Sequence, residues 1–132
     1  METYIYSALV SVGACVLVMV LAFRTGLARG AGGVKVTETF TTTNERFIIA
    51  NRIHLNTLEN FALLIPLLWI ATLYSGANIA AIIGGVWLLA RVVFAYLYTK
   101  NPQKRAPAFI ISYFSLVALA LLSLYGLLIS FV

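Results

Sequence analysis

The sequence predicts an all-α fold: an integral membrane four-helix bundle, with residues 1–132 forming one transmembrane domain. Three observations carry that reading. Hydrophobic residues make up 62% of the chain and charged residues only 10%, whereas a soluble domain carries about 25% charged residues. Mean hydropathy is +0.99. Four separate stretches reach the roughly 20 apolar residues that cross a bilayer core as a helix. Strands are excluded because the runs are too long and an open sheet edge cannot be satisfied in lipid.

The first span runs from about Thr3 to Phe23. Only Glu2 precedes it, with no basic flank and no small-residue cleavage site after it, so it reads as a mature helix and not as a secretion signal. Its lone Cys15, in "VGACVLV", reads as helix packing and offers neither an intrachain disulfide nor a cysteine-rich metal set. Residues 24 to 45, "RTGLARGAGGVKVTETFTTTNE", read as one long polar loop. Its "RGAGG" piece lacks the lysine-hydroxyl ending and preceding strand of a phosphate loop, and reads as a flexible linker. The second span, about Phe47 to Tyr74, concentrates its polar residues in "NRIHLNTLEN" and continues as the uncharged "FALLIPLLWIATLY". "SGAN" at 75 to 78 is a tight turn. The third span covers about Ala77 to Tyr98. The basic loop "TKNPQKRAP" follows, with Pro107 in the first turn of the fourth span, about Ala106 to Val132, where proline is tolerated.

Charge sets the orientation. Arg24, Arg29, Lys35 and Arg46 fall in or beside the first loop; Lys100, Lys104 and Arg105 fall in the third. With four crossings these loops share a side, so seven of the nine basic residues lie on one face. The positive-inside rule makes that face cytoplasmic and puts both termini opposite. The net charge of +5 therefore reads as orientation and not as a nucleic-acid surface, since the basic residues form no patch interleaved with aromatics. One histidine, one cysteine and no aspartate leave no metal set and no Ser-His-Asp arrangement.

Arg52, Glu59 and Arg91 fall inside apolar runs, where a charge costs about 2.5–3.5 kcal/mol at a helix centre. Arg52, Asn56 and Glu59 stand at i, i+4 and i+7 and share a narrow helix face; His54 points nearly opposite. Arg91 and Tyr98 also share a face, with Phe94 between them. Two polar stripes on adjacent helices form the walls of one site, or else Glu59 neutralises Arg52 or Arg91 and merely fixes packing.

At these residues a resemblance enters. "RIHLNTLEN" resembles the second-helix signature of the MAPEG family, the membrane-associated proteins in eicosanoid and glutathione metabolism, with Arg52, Asn56 and Glu59 in the signature places. "ARVVFAYLY" is similar to the family's third-helix segment and "KRAP" to the opening of its fourth helix. The likeness implies homotrimers that hold glutathione between subunits near the cytoplasmic side. The glutathione-binding set it implies is Arg24, Arg52, His54, Asn56, Glu59, Arg91, Tyr98 and Tyr113, with Arg29 as the alternative to Arg24 and His54 a contact from the neighbouring subunit. Arg105, seven after Tyr98, matches the catalytic arginine of the leukotriene C synthase branch. The arginine and serine of the prostaglandin E synthase branch are replaced here by Phe109 and Ile110. A hydroxyl of the leukotriene branch is missing at Phe94, and its aromatic residue after the glutamate is Asn60.

The implied function is a membrane glutathione transferase, with glutathione as co-substrate, acting in a bacterial inner membrane or an endomembrane. Arg105, with Tyr98 as a hydroxyl donor, favours the glutathione thiolate. The thiolate attacks a hydrophobic electrophile or a lipid hydroperoxide that arrives from the bilayer past Phe109. The alternatives are a non-catalytic lipid-binding relative and, from another class, a small proton-coupled exporter driven by Glu59.

Overall fold

The computed structural model describes residues 2–132. Four long helices account for most of them: α1 (Ile5–Gly32), α2 (Glu45–Tyr74), α3 (Ala77–Lys100) and α4 (Ala106–Ser130). All four are long and apolar enough to cross a membrane. At 1.5 Å per residue even the 24 residues of α3 exceed a hydrocarbon core of about 30 Å. The chain is thus a multi-pass integral membrane protein, and no strand occurs among the described residues.

Each of α1 and α4 packs against both α2 and α3, so α1 and α4 occupy opposite corners of the bundle. Successive helices alternate in direction. The C-terminal ends of α1 and α3 therefore meet the N-terminal ends of α2 and α4 at one end of the bundle, which carries the seven loop cations and is called the basic end below.

The first helix differs from the sequence expectation. It does not stop at Phe23 but runs on through "RTGLARGAG" to Gly32, and only Gly33, at φ 61°, ends it. Low hydropathy there does not mean loop. Leu21, Thr25 and Ala28 continue one buried face past the apolar segment. The Thr25 hydroxyl lies 3.1 Å from the Ala50 carbonyl on α2, and Ala28 packs with Val34 and Phe47. The glycine-rich piece is thus helical as far as Gly32, though its glycines are exposed; the flexible linker expected there is absent among the described residues. A short 3-10 turn, Val36–Glu38, crosses back, and Asn44 caps α2 by accepting the Phe47 N–H at 3.0 Å.

The core has two membrane layers. One gathers Ala14, Leu64, Leu68, Ala71, Ala80, Trp87, Leu116 and Leu119. The other, nearer the basic end, gathers Leu21, Ile53, Phe94, Ala95, Tyr98 and Ala108. Polar side chains stitch α1 to α2 away from the basic end: the Ser7 and Thr72 hydroxyls are 2.7 Å apart, and Trp69 Nε1 donates to Ser11 Oγ at 3.1 Å. Such bonds each contribute about 0.6 kcal/mol in a membrane. The outer surface is apolar, with Met19, Val12 and Leu89 all exposed, as a lipid-facing helix requires. Cys15 belongs to that surface: it is exposed, not packed between helices as expected.

Candidate functional site

A cavity of about 620 Å³ opens at the basic end between α2, α3 and the start of α4, lined by Arg52, Leu55, Asn56, Glu59, Phe94, Tyr98, Gln103, Arg105, Ala106 and Phe109. Its size is within the roughly 300–1,000 Å³ of small-molecule sites. The α2 wall follows from helical periodicity: Arg52, Asn56 and Glu59 recur on one face with the apolar Leu55 beside them. The α3 wall supplies Phe94 and Tyr98, whose rings meet edge-on at 5.6 Å.

The third wall is made by the loop after α3. Asn101 caps the short turn Pro102–Lys104 by accepting from the Gln103 N–H at 3.0 Å. The turn reverses the chain and delivers Arg105 over the mouth. Arg105 donates to the Pro102 carbonyl at 2.7 Å, and its guanidinium lies 4.9 Å from the centre of the Tyr98 ring. The cavity thus holds two guanidiniums, one carboxylate, two carboxamides and one phenol among the described residues, at the boundary of an apolar bundle.

Arg91 is placed elsewhere. It is 0% exposed and does not line the cavity. Its Nη2 donates to Asn56 Oδ1 at 2.7 Å and to Thr57 Oγ1 at 2.8 Å, and its Nη1 donates to Ser112 Oγ at 3.3 Å. The guanidinium also stacks 4.2 Å over Phe94. One side chain of α3 therefore ties α2 to α4, and its partners are neutral. The pairing of Glu59 with Arg91 is not formed; Glu59 is exposed at the cavity instead. Arg91 positions Asn56, which the sequence did not reveal because Thr57 and Ser112 are unremarkable until the helices are packed.

The remaining candidates lie outside this cavity within one chain. Tyr113 is 53% exposed and stacks on Phe109 at 6.4 Å, on the outer side of α4. His54 is half-buried on another face of α2. Arg24 donates to Thr99 at 3.2 Å and lines two recesses beside α1. Arg29, in the last turn of α1, is engaged with the loop that follows, donating to Thr39 Oγ1 at 3.0 Å and covering Phe47 at 4.6 Å. Gln103 and Leu55 line the cavity without having been singled out in the sequence.

Four membrane-crossing helices around a charged recess at one boundary define a class: polytopic membrane proteins whose polar site opens at the bilayer edge. The chain belongs to the MAPEG family, whose family model matches residues 7–125. It is also 39% identical, over 123 residues, to the uncharacterized protein sll1147 of Synechocystis, covering 91% of this chain and 88% of that one. Membership places it among membrane proteins of glutathione-related and eicosanoid-type metabolism.

Proposed function

We propose that the protein is a membrane glutathione transferase that ionises the glutathione thiol and directs it at hydrophobic electrophiles or lipid hydroperoxides. The supporting observation is the charge inventory of the one cavity that holds Arg52, Asn56, Glu59, Tyr98 and Arg105. Glutathione offers two carboxylates, one ammonium and a thiol. Arg52 suits a carboxylate through its planar fork of donors. Glu59 suits the ammonium, and Asn56, held by Arg91, presents its amide to the peptide backbone.

Arg105 and Tyr98 then face the sulfur. A free thiol has a pKa of about 8.5 and is only a few per cent ionised at neutral pH. A guanidinium within hydrogen-bond reach favours the thiolate, and about 1.4 kcal/mol of that preference raises the ionised fraction tenfold. In conjugation the sulfur bonds to an electrophilic carbon as the leaving group departs. In peroxide reduction it attacks the terminal oxygen, the O–O bond breaks, and a second glutathione resolves the sulfenic acid to a disulfide.

The cavity's lining among the described residues comes from α2, α3, the turn after α3 and the start of α4, with none from α1, and a neighbouring copy would complete it. A homotrimer is the assembly that fits, with Arg24 or Arg29 and His54 supplied across the subunit boundary. The basic end is the cytoplasmic end in this reading, where glutathione is present. The deciding experiment is an ultraviolet titration of glutathione with the purified protein. Thiolate absorbance at neutral pH, stoichiometric with protein, is expected; its absence while glutathione binds would remove the transferase reading.

A further inference from the structure

We propose a binding site for one anionic glycerophospholipid in the groove between α1 and α3 at the basic end, apart from the glutathione cavity. The groove holds about 280 Å³, with Leu17, Val20 and Val92 in its depth and Arg24, Thr99 and Lys100 at its rim. Its chemistry is sorted by depth. Helices α1 and α3 run the same way, so Leu17 to Arg24 and Val92 to Lys100 climb side by side. At 1.5 Å per residue the apolar lining descends about 10–12 Å below the two cations. That is the arrangement of a lipid: charge at the membrane boundary and hydrocarbon beneath it.

The cations are held in place, and among the described residues the groove lining offers them no acidic partner. Arg24 gives one N–H to Thr99 at 3.2 Å, its one hydrogen bond among the described residues, which leaves the rest of its fork for a phosphate. The Lys100 ammonium sits 5.8 Å over the Tyr96 ring, which keeps it at the rim. An adjoining recess shares Arg24 and adds Arg46 and Glu45, so the balance beside the groove stays positive. The walls are open to the bilayer: Val20 is 49%, Val92 49% and Tyr96 61% exposed. Basic pockets between membrane helices bind anionic headgroups, and each cation near the surface contributes a preference of about fivefold. A zwitterionic lipid would lose most of that preference.

The test compares phosphatidylglycerol with phosphatidylcholine of identical chains, mixed equally in micelles with the full-length protein, with retained lipid counted by native mass spectrometry. Selective retention of phosphatidylglycerol is expected. Lys100→Gln should lower it about fivefold, and Arg24→Gln with Lys100→Gln further. Val92→Trp, which fills the groove and leaves both cations, should abolish it. Equal retention of the two lipids, indifference to Lys100→Gln, or survival in Val92→Trp would overturn the site. So would displacement by inorganic phosphate, which marks a bare anion site, or cross-linking that shows a second copy seated on this groove. If the double variant does not fold, Lys100→Gln and Val92→Trp decide alone. With Arg24 given to the lipid, Arg29 is left as the α1 arginine that can reach glutathione; lipid retention and the thiolate titration are read separately, so either reading can fail without the other.

Discussion

Arg105 holds its guanidinium 4.9 Å above the Tyr98 ring at the mouth of the cavity, anchored by a 2.7 Å bond to the Pro102 carbonyl. The two residues come from opposite sides of the loop joining α3 to α4, so a short basic turn sets where positive charge meets the site. Replacing Arg105 with Ala should leave glutathione binding largely in place, because Arg52, Asn56 and Glu59 remain. It should return the bound thiol toward its ordinary pKa of about 8.5. The sign follows: the native protein keeps its rate as pH falls toward neutrality, while the variant loses about tenfold in kcat/KM per pH unit below its thiol pKa. Parallel pH profiles check this, and superimposable profiles would remove Arg105 from the chemistry.

Among the described residues Glu59 is the single carboxylate lining the cavity. Glu59→Gln keeps shape and removes charge, so it should weaken glutathione binding about 10–100-fold, the loss of one charge-assisted hydrogen bond. The sharper readout is a glutathione analogue without the amino group. Native protein and variant should bind that analogue equally if Glu59 meets the ammonium. Proton-driven export of cations from proteoliposomes, lost in Glu59→Gln, would instead support the exporter.

How much of this was legible in the chain depends on where partners lie. Arg52, Asn56 and Glu59 share one helix, so their spacing alone placed them on one wall, and all three line the cavity. Arg91 sits seven before Tyr98, and the same rule put it on the cavity face; yet its acceptors, Thr57 and Ser112, are on other helices and drew it into the bundle centre. Hydropathy ended the first helix at Phe23 because it registers lipid contact and not packing; the Thr25 and Ala28 face against α2 carries the helix to Gly32. The four spans were clear because each must satisfy its own backbone within the bilayer.

Arg91 is the side chain whose loss should cost the most stability. Arg91→Ala leaves a cavity, strands Asn56 Oδ1 and unties α4 from α2, for about 2–5 kcal/mol. Arg91→Lys keeps the charge but cannot span three acceptors with one ammonium, so it should lie between the two. Thermal unfolding in detergent orders the three proteins. Glutathione affinity should fall in the same order, because Arg91 holds the Asn56 that is proposed to meet the ligand. A variant with native unfolding but lost binding would instead make Arg91 a direct contact.

Gly126 fixes the far end of the bundle, where α4 passes the end of α2. A methyl group there would come within 2.7 Å of the Tyr74 backbone and would also strike the Ser75 hydroxyl, which bonds the Leu122 carbonyl. Backbone cannot yield cheaply, so Gly126→Ala should destabilise by about 1–3 kcal/mol. The cavity proposed to hold glutathione is at the opposite end. Activity per folded molecule should therefore stay native while the unfolding temperature drops, and a change in KM would show that the two ends are coupled.

Phe109 tests where the electrophile lies. It lines the cavity and contacts Phe94 at 6.3 Å and Tyr113 at 6.4 Å between ring centres, so a run of aromatic rings leads from Tyr98 to the lipid-facing side of α4. In the proposed reading polar glutathione lies against the α2 wall, and an apolar second substrate gains most from this side. Phe109→Leu keeps apolar bulk and removes the ring, whereas Phe109→Ala removes both, forfeiting about 1.5–3 kcal/mol of apolar contact. The KM for a hydrophobic electrophile should therefore rise about tenfold or more in Phe109→Ala and less in Phe109→Leu, with glutathione affinity nearly unchanged in both. If glutathione affinity falls instead while the electrophile KM holds, the approach from the bilayer runs along another wall of the cavity.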